Sequence, residues 1–416
     1  MFAGKTPTAK SPTNATLLGK PNQTLLECCG GATRPLSVEQ TGTPEGMGDC
    51  GQGAGDISAS HILPGKLGTP SMLLLSDPRM NTTILEHCKK DLLFGKWGVV
   101  GEPLPAPVWE GSPLLVKHMW YNLMERLASA LTTVVMPEAS AVDQFTEVIS
   151  GADGNIITLF VAKPKVSEAV PGILHMHGGG MCYFSADDPL NRAWRIHLAL
   201  RGFVTASVEF RNSSGRLGCH PFPAGLNDCM SALAWLSARR RQFGISKLIL
   251  SGESGGGNLC IASALRAKRE GRLSEFDGVF ALCPFIAGPS VWRAKSNTSL
   301  QECDGYLLDA KNNTLFASMY DPELKHAGDP CAWPGLATDA DLDGLPPHVI
   351  SVNELDPLRD EGLAYCEKMK AAGVRAESRI VRGTPHAGEL LCTGFEGGRC
   401  ILEETTDAMM HFAQSL

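Results

Sequence analysis

The chain lacks any uninterrupted apolar run approaching the length of a membrane span, which removes a membrane helix from consideration. It also lacks a long basic run, with 37 Lys and Arg against 44 Asp and Glu for a net charge of -7. Without a cationic stripe to neutralise phosphates, neither nucleic acid nor an anionic membrane surface is an expected partner. Cys-x-x-Cys spacing is absent among the 14 cysteines, and Cys28-Cys29 is adjacent rather than spaced for a metal, so no zinc site is expected. Most cysteines instead sit scattered in apolar runs such as Ala281-Leu282-Cys283-Pro284, as small core residues of a protein in a reducing compartment. Glycine clusters exist but form no dinucleotide fingerprint: counted from Gly178 or Gly255, the place of the third glycine holds Tyr183 or Cys260. No P-loop lysine follows either cluster, and no internal repeat is found.

Residues 1–30 lack the apolar core of a signal peptide, so sequons such as Asn81-Thr82-Thr83 read as chance matches. Residues 1–70 are rich in Gly, Pro, Thr and Ser without sustained periodicity, and are expected to form a mobile tail. The expected location is cytoplasmic, with organelle targeting by this tail left open. Two amphipathic stretches follow, Ser76 to Leu93 and Leu114 to Leu131, within a segment 71–140 expected to supply N-terminal cap helices.

With 416 residues, 43% of them hydrophobic and 19% charged, there is material for one large catalytic domain, placed at 141–416. From Gln144 onward short β-rich runs alternate with helical stretches. The strand runs are Phe145 to Ile149, Ile156 to Ala162, Gly172 to Met176, Phe203 to Phe210, Lys247 to Ser251, Val279 to Cys283, His348 to Val352 and Ser378 to Val381. Helix-like stretches at Asn191 to Arg201, Ala224 to Arg240 and Gly362 to Ala372 supply the crossovers that parallel strands require. The expected fold is α/β: a mostly parallel sheet of about eight strands with helices on both faces.

Two motifs carry chemistry. Gly252-Glu253-Ser254-Gly255-Gly256 directly follows the apolar run Leu248-Ile249-Leu250 and matches the G-x-S-x-G turn that raises a nucleophilic serine between a strand and a helix. Small neighbours are required because side chains there would collide with the turn and with substrate. His177-Gly178-Gly179-Gly180 follows the strand Gly172 to Met176 and reads as an oxyanion hole, since backbone N–H groups approach a developing oxyanion only where side chains are absent. Gly178, Gly179 and Gly255 are the expected donors, and His177 is expected to hold the loop.

The two motifs together resemble the hormone-sensitive-lipase family of α/β-hydrolases, whose members carry an HGGG loop before a G-D-S-A-G elbow; here the elbow reads G-E-S-G-G. The resemblance covers roughly residues 75 to 416. It extends to Asp356-Pro357-Leu358-Arg359-Asp360-Glu361, which matches the family's D-P-L-x-D-E segment. It implies Ser254 as nucleophile, Asp356 as triad acid with Glu354 a lower-ranked alternative, and His386, last in chain order within Gly383-Thr384-Pro385-His386-Ala387-Gly388, as general base. Asp360 and Glu361 read as helix-opening carboxylates. Where the family more often has an aromatic two residues after the base, this chain has Gly388. The resemblance also implies a cap, from the N-terminal helices and an insertion at 286–340, and Met181 to Phe184 either as pocket lining or as core.

The expected function is serine-dependent hydrolysis of short to medium acyl esters, needing neither metal nor cofactor. Two alternatives share the fold: a small-molecule receptor without turnover, and amide, lactone or acyl-transfer chemistry through the same triad. Receptors of this kind typically lose the triad histidine, whereas His386 is present. Asp187-Asp188-Pro189 reads as a helix start rather than a metal site, and Arg239-Arg240-Arg241 as the solvated end of a helix.

Overall fold

Each of the eight β-rich runs becomes a strand in the computed structural model, which describes residues 72–90, 108, 110–131 and 134–416. They are β1 (Val142–Ser150), β2 (Ile156–Pro164), β3 (Val170–Met176), β4 (Val204–Glu209), β5 (Ile245–Glu253), β6 (Gly278–Leu282), β7 (His348–Leu355) and β8 (Ala376–Pro385). The expected tail, residues 1–70, and part of the segment 71–140 lie outside the described residues.

The strands form one sheet in the order β1-β2-β4-β3-β5-β6-β7-β8. The β1/β2 and β2/β4 pairs are antiparallel, and the remaining pairs are parallel. A parallel strand covered by helices on both faces has no solvated side, and β6 is buried along its whole length. The antiparallel edge strand β1 keeps Phe145 and Val148 exposed.

Helices α1 (Thr82–Lys90) and α2 (Leu114–Leu131) precede the sheet, close to the two amphipathic stretches of the sequence. Crossovers are made by α3 (Pro189–Leu200), α4 (Ala224–Ser237), the short α5 (Arg240–Phe243) and α6 (Gly255–Arg269). The stretch 286–340 folds into α7 (Pro289–Ala294), α8 (Thr298–Glu302), α9 (Ala310–Tyr320) and α10 (Asp339–Leu342), and the chain ends with α11 (Arg359–Ala371), α12 (Gly388–Leu391) and α13 (Arg399–Gln414). Among the described residues, no helix is long and apolar enough to cross a membrane.

Side chains alternate across a strand, and the core divides accordingly. Leu174, Leu250 and Val279 pack on one face with Leu226, Leu233 and Leu259 of α4 and α6. Their neighbours Ile173, Ile249 and Phe280 pack on the other face with Trp194 of α3 and Met409 and Phe412 of α13.

Asp187-Asp188-Pro189 opens α3 as expected: Pro189 is its first residue, Asp188 accepts the Ser185 N–H at 2.8 Å, and Asp187 pairs with Arg195 at 2.7 Å. The arginine run departs from expectation. The predicted helix Ala224 to Arg240 stops at Ser237, and Arg240 turns inward to donate to Asp277 Oδ2 and the Glu275 carbonyl, both at 2.6 Å. Only part of that run is a solvated helix end.

The first turn of α11 does more than complement a helix dipole. Glu361 is buried and accepts from the Ile286 and Ala287 N–H groups at 2.7 and 3.1 Å and from Trp292 Nε1 at 2.8 Å. Burial pushes its carboxyl up to about 7 despite those three donors. Asp360 accepts the Ser299 N–H at 2.7 Å, and Arg359 reaches Glu302 at 2.9 Å. One helical turn thus holds the stretch 286–302 to the end of β7.

Both side chains of the Arg359–Glu302 pair are more than nine-tenths buried, so removing one leaves an uncompensated charge. Arg359→Ala is expected to cost about 3–5 kcal/mol, measured as a lowered urea midpoint. A loss under about 1 kcal/mol, the size of a solvent-exposed pair, would contradict this placement.

Candidate active site

Strands β3, β5, β6, β7 and β8 are mutually parallel, so the loops that follow them emerge at one edge of the sheet. Ser254 follows the last β5/β6 pair, Glu253 with Leu282, and enters α6 through φ +57° and ψ -118°. That left-handed φ is costly for any residue with a side chain, and it persists only where neighbours over-determine it. The Ser254 N–H donates to the Leu282 carbonyl at 2.9 Å, and the Ser254 carbonyl accepts from Asn258 and Phe285 at 3.0 and 3.1 Å. The flanking glycines are obligatory: a Cβ on Gly252 or Gly256 would lie 2.2 or 1.9 Å from the Met176 carbonyl oxygen.

Asp356 and His386 each follow the last β7/β8 pair, Leu355 with Pro385, and so they emerge side by side. His386 Nδ1 and Asp356 Oδ2 are 2.7 Å apart, while Asp356 Oδ1 accepts the Leu358 N–H at 2.9 Å. Asp356 is fully buried and His386 nearly so. Burial disfavours the imidazolium, but the Asp356 charge outweighs it and holds His386 well above its ordinary value. Beneath the loop, Asn353 donates to Thr384 Oγ1 at 2.7 Å and to Glu389 Oε2 at 2.8 Å, and its Oδ1 accepts the Ala387 N–H at 3.2 Å. Glu354, the alternative acid, accepts from Gly383 N–H at 2.8 Å and pairs with Arg382, away from the imidazole.

The two halves meet at Cys283. Its predecessor Leu282 holds the Ser254 amide, and its own sulfur lies within 4.8 Å of a His386 nitrogen and an Asp356 oxygen. Among the described residues no hydrogen bond joins Ser254 Oγ to His386; in unliganded sites such bonds are often long and tighten on binding.

The oxyanion assignment requires a correction. The Gly178 N–H, an expected donor, points to Glu253 Oε1 at 2.5 Å and is not available to a substrate oxygen. Gly179 and Gly180 follow at φ +97° and +59°, and their N–H groups meet no acceptor among the described residues. Gly180 N lies 2.8 Å from where a Cβ on Gly255 would sit, and the Gly255 N–H, in the first turn of α6, has no partner within that helix. The geometry therefore offers Gly179, Gly180 and Gly255.

Glu253 also accepts from His175 Nε2 at 2.9 Å, and both residues are buried. His177 behaves as expected: fully buried, it bonds the Gly178 carbonyl through Nδ1 at 2.8 Å and stacks on Phe210, and burial pushes its imidazolium down to about 3. Beside the loop, a Cβ on Gly180 would come 3.0 Å from the Phe316 ring of α9, which packs against Tyr121 of α2 and Tyr183. Sequence reasoning missed Glu253, Gly180 and Cys283. The elbow motif leaves its second position open, and three consecutive glycines look alike until an acceptor claims one of them.

A model of a family described as alpha/beta hydrolase fold matches residues 173–389. Esterase LipI of Mycobacterium tuberculosis is 30% identical over 288 residues, covering 68% of this chain and 83% of that protein. The gibberellin receptor GID1A of Arabidopsis thaliana is 30% identical over 223 residues, covering 52% of this chain and 61% of that protein. Among solved structures, a brefeldin A esterase described as a bacterial homologue of human hormone-sensitive lipase superposes with a TM-score of 0.77 at 36% identity, covering 85% of this chain and 98% of that one.

Glu253→Ala would strand two buried donors, the Gly178 N–H and His175. A stability loss of about 1–3 kcal/mol per stranded group is expected, read by chemical denaturation, with Glu253→Gln losing less because it keeps an acceptor. Equal stability of all three proteins would show that the carboxylate does not hold the loop.

Proposed function

We propose, for a chain that belongs to the hormone-sensitive-lipase family of α/β-hydrolase-fold esterases, that Ser254, His386 and Asp356 hydrolyse carboxylic esters through an acyl-enzyme. Carboxylesterase or lipase-like hydrolysis is the activity of that family. The observation that carries it is the 2.7 Å bond between His386 and a buried Asp356, at the strand edge where Ser254 is held in a strained turn.

A serine hydroxyl is a weak nucleophile until an imidazole takes its proton. His386 accepts the Ser254 proton as the hydroxyl attacks the ester carbonyl, and Asp356 orients the ring and stabilises the imidazolium. Negative charge on the former carbonyl oxygen is met by the N–H groups of Gly179, Gly180 and Gly255, each worth about 10²–10³ in rate for sites of this type. His386 then returns the proton to the leaving alcohol, and water activated by the same ring releases the acid. No metal or organic cofactor takes part in these steps.

Helices α1 and α2 and the stretch 286–340 form the cap, and the rings of Tyr121, Tyr183 and Phe316 bound the space beside Gly180. This aromatic wall supports short to medium acyl groups. The match to a plant hormone receptor keeps a binding-only role as the competing outcome, against which the intact His386–Asp356 pair argues.

Incubation with a fluorophosphonate is expected to label wild type and not Ser254→Ala, and turnover of p-nitrophenyl acetate and butyrate is expected to fall about 10⁴-fold or more in that variant. Labelling without ester turnover would move the reading to lactone, amide or transfer chemistry; no labelling would favour the receptor. Hydrolysis of long-chain esters alone would overturn the acyl range.

A pH profile gives a second test. His386 serves as base only when neutral, so kcat/KM should fall as pH drops through an ionisation displaced above 6.5. In Asp356→Asn the supporting charge is gone: activity should drop about 10⁴-fold and the limb should move to lower pH. A limb that stays put would remove Asp356 from the account.

A further inference from the structure

Cys283 lies at the strand edge beside His386 and Asp356, and the proposed reaction gives it no part. It is 1% exposed, directly follows β6 at φ +34°, and is fixed by its N–H donating to the Ser351 carbonyl at 2.7 Å. Its sulfur, a His386 ring nitrogen and an Asp356 carboxylate oxygen all lie within 4.8 Å of one another, the only such grouping of potential metal ligands among the described residues. Thiolate, imidazole and carboxylate are the donor types that zinc takes, and three protein ligands with an open fourth position is a common arrangement around that ion. Ligand atoms sharing one tetrahedral zinc lie about 3.3–3.8 Å apart, given metal–ligand bonds of about 2.0–2.3 Å. The His386–Asp356 contact of 2.7 Å must therefore open by a fraction of an ångström, and Cys283 must close by at most about 1.5 Å.

We infer that Cys283, His386 and Asp356 form an inhibitory site for a thiophilic divalent cation such as Zn²⁺, which shuts off the hydrolase by taking its base. The Cys283 thiol gives up its proton to solvent as the metal–sulfur bond forms, and the imidazole binds in its neutral form. The cation binds at Nδ1, the nitrogen that faces Asp356, and the Nδ1 proton is released to solvent. The neutral ring then carries its proton on Nε2 and has no lone pair there to accept the serine proton, so His386 is no longer a base. Nothing is oxidised or reduced, and removing the cation restores the resting site. His386 is the least buried of the three ligands, at 8% exposure, and because the cation takes the base that the ester reaction needs, the two compete. Buried at neutral pH, the thiol is held protonated, which sets the cation's affinity below that of a preformed thiolate site.

The inhibition rests on the esterase reading, whereas cation binding does not, and the experiment separates the two. Initial rates of p-nitrophenyl butyrate hydrolysis with and without Zn²⁺, buffered by a weak chelator, are compared within wild type and within Cys283→Ala. Wild type should show competitive inhibition reversed by EDTA, and Cys283→Ala should need about 10-fold or more Zn²⁺ for half-inhibition. In parallel, Co²⁺ is titrated into Ser254→Ala and into Ser254→Ala/Cys283→Ala, neither of which needs turnover. A thiolate-to-cobalt charge-transfer band present in the first and missing from the second supports the site even if no esterase activity is found. Equal Zn²⁺ sensitivity of wild type and Cys283→Ala, or no Cys283-dependent cobalt band, overturns it.

Discussion

The site depends on one buried carboxylate. Glu253, the last residue of β5, accepts the Gly178 N–H and His175 Nε2, and so joins the strand that carries Ser254 to the strand that carries the glycine loop. A carboxylate taken out of water is tolerated only when its lone pairs are met, and here both oxygens are met by β3 and the residues just beyond it. With Gly178 fixed in this way, Gly179 and Gly180 turn through positive φ, and their N–H groups meet no acceptor among the described residues. In the proposed mechanism, the contact that keeps Gly178 out of the oxyanion hole is the contact that orients Gly179 and Gly180.

The remaining geometry follows from strand pairing. Ser254 and Cys283 each follow the Glu253 and Leu282 pair, and Asp356 and His386 each follow the Leu355 and Pro385 pair. Residues far apart in sequence become neighbours because parallel strands end together. Polar groups beneath the loops then hold them: Asn353 with Thr384 and Glu389 under His386, and Glu361 with Trp292 and Arg359 with Glu302 under the stretch that includes α7 and α8. Buried networks of this kind are stable only when their members are satisfied, so they fix loop position as well as contribute stability.

The sheet and most helices were legible in the sequence. Ile156 to Ala162 and Leu248-Ile249-Leu250 are short apolar runs rich in β-branched residues, and they read as strands because helical stretches of crossover length alternate with such runs along the chain. Asp356 and His386 were legible through a family resemblance rather than through local pattern, and the structure sets them in contact. Gly178 was not separable from Gly180, because each glycine of a triple offers the same N–H, and the acceptor that distinguishes them lies 75 residues away. Cys283 was read as a small core residue. That reading fits its burial, but not its position against the imidazole, which depends on the register between β6 and β7. Glu361 looked like a helix-opening carboxylate for the same reason: its three donors are contributed by residues 286, 287 and 292.

The most direct test of the account is a crystal structure of the enzyme carrying a phosphonate on Ser254, whose phosphoryl oxygen stands where the oxyanion of the ester intermediate would be. The account predicts that oxygen within about 3 Å of the N–H groups of Gly179, Gly180 and Gly255, with Gly178 still bonded to Glu253 and His386 still bonded to Asp356. An oxygen held by Gly178, with the Glu253 carboxylate turned away, would contradict the claim that Glu253 sets the hole.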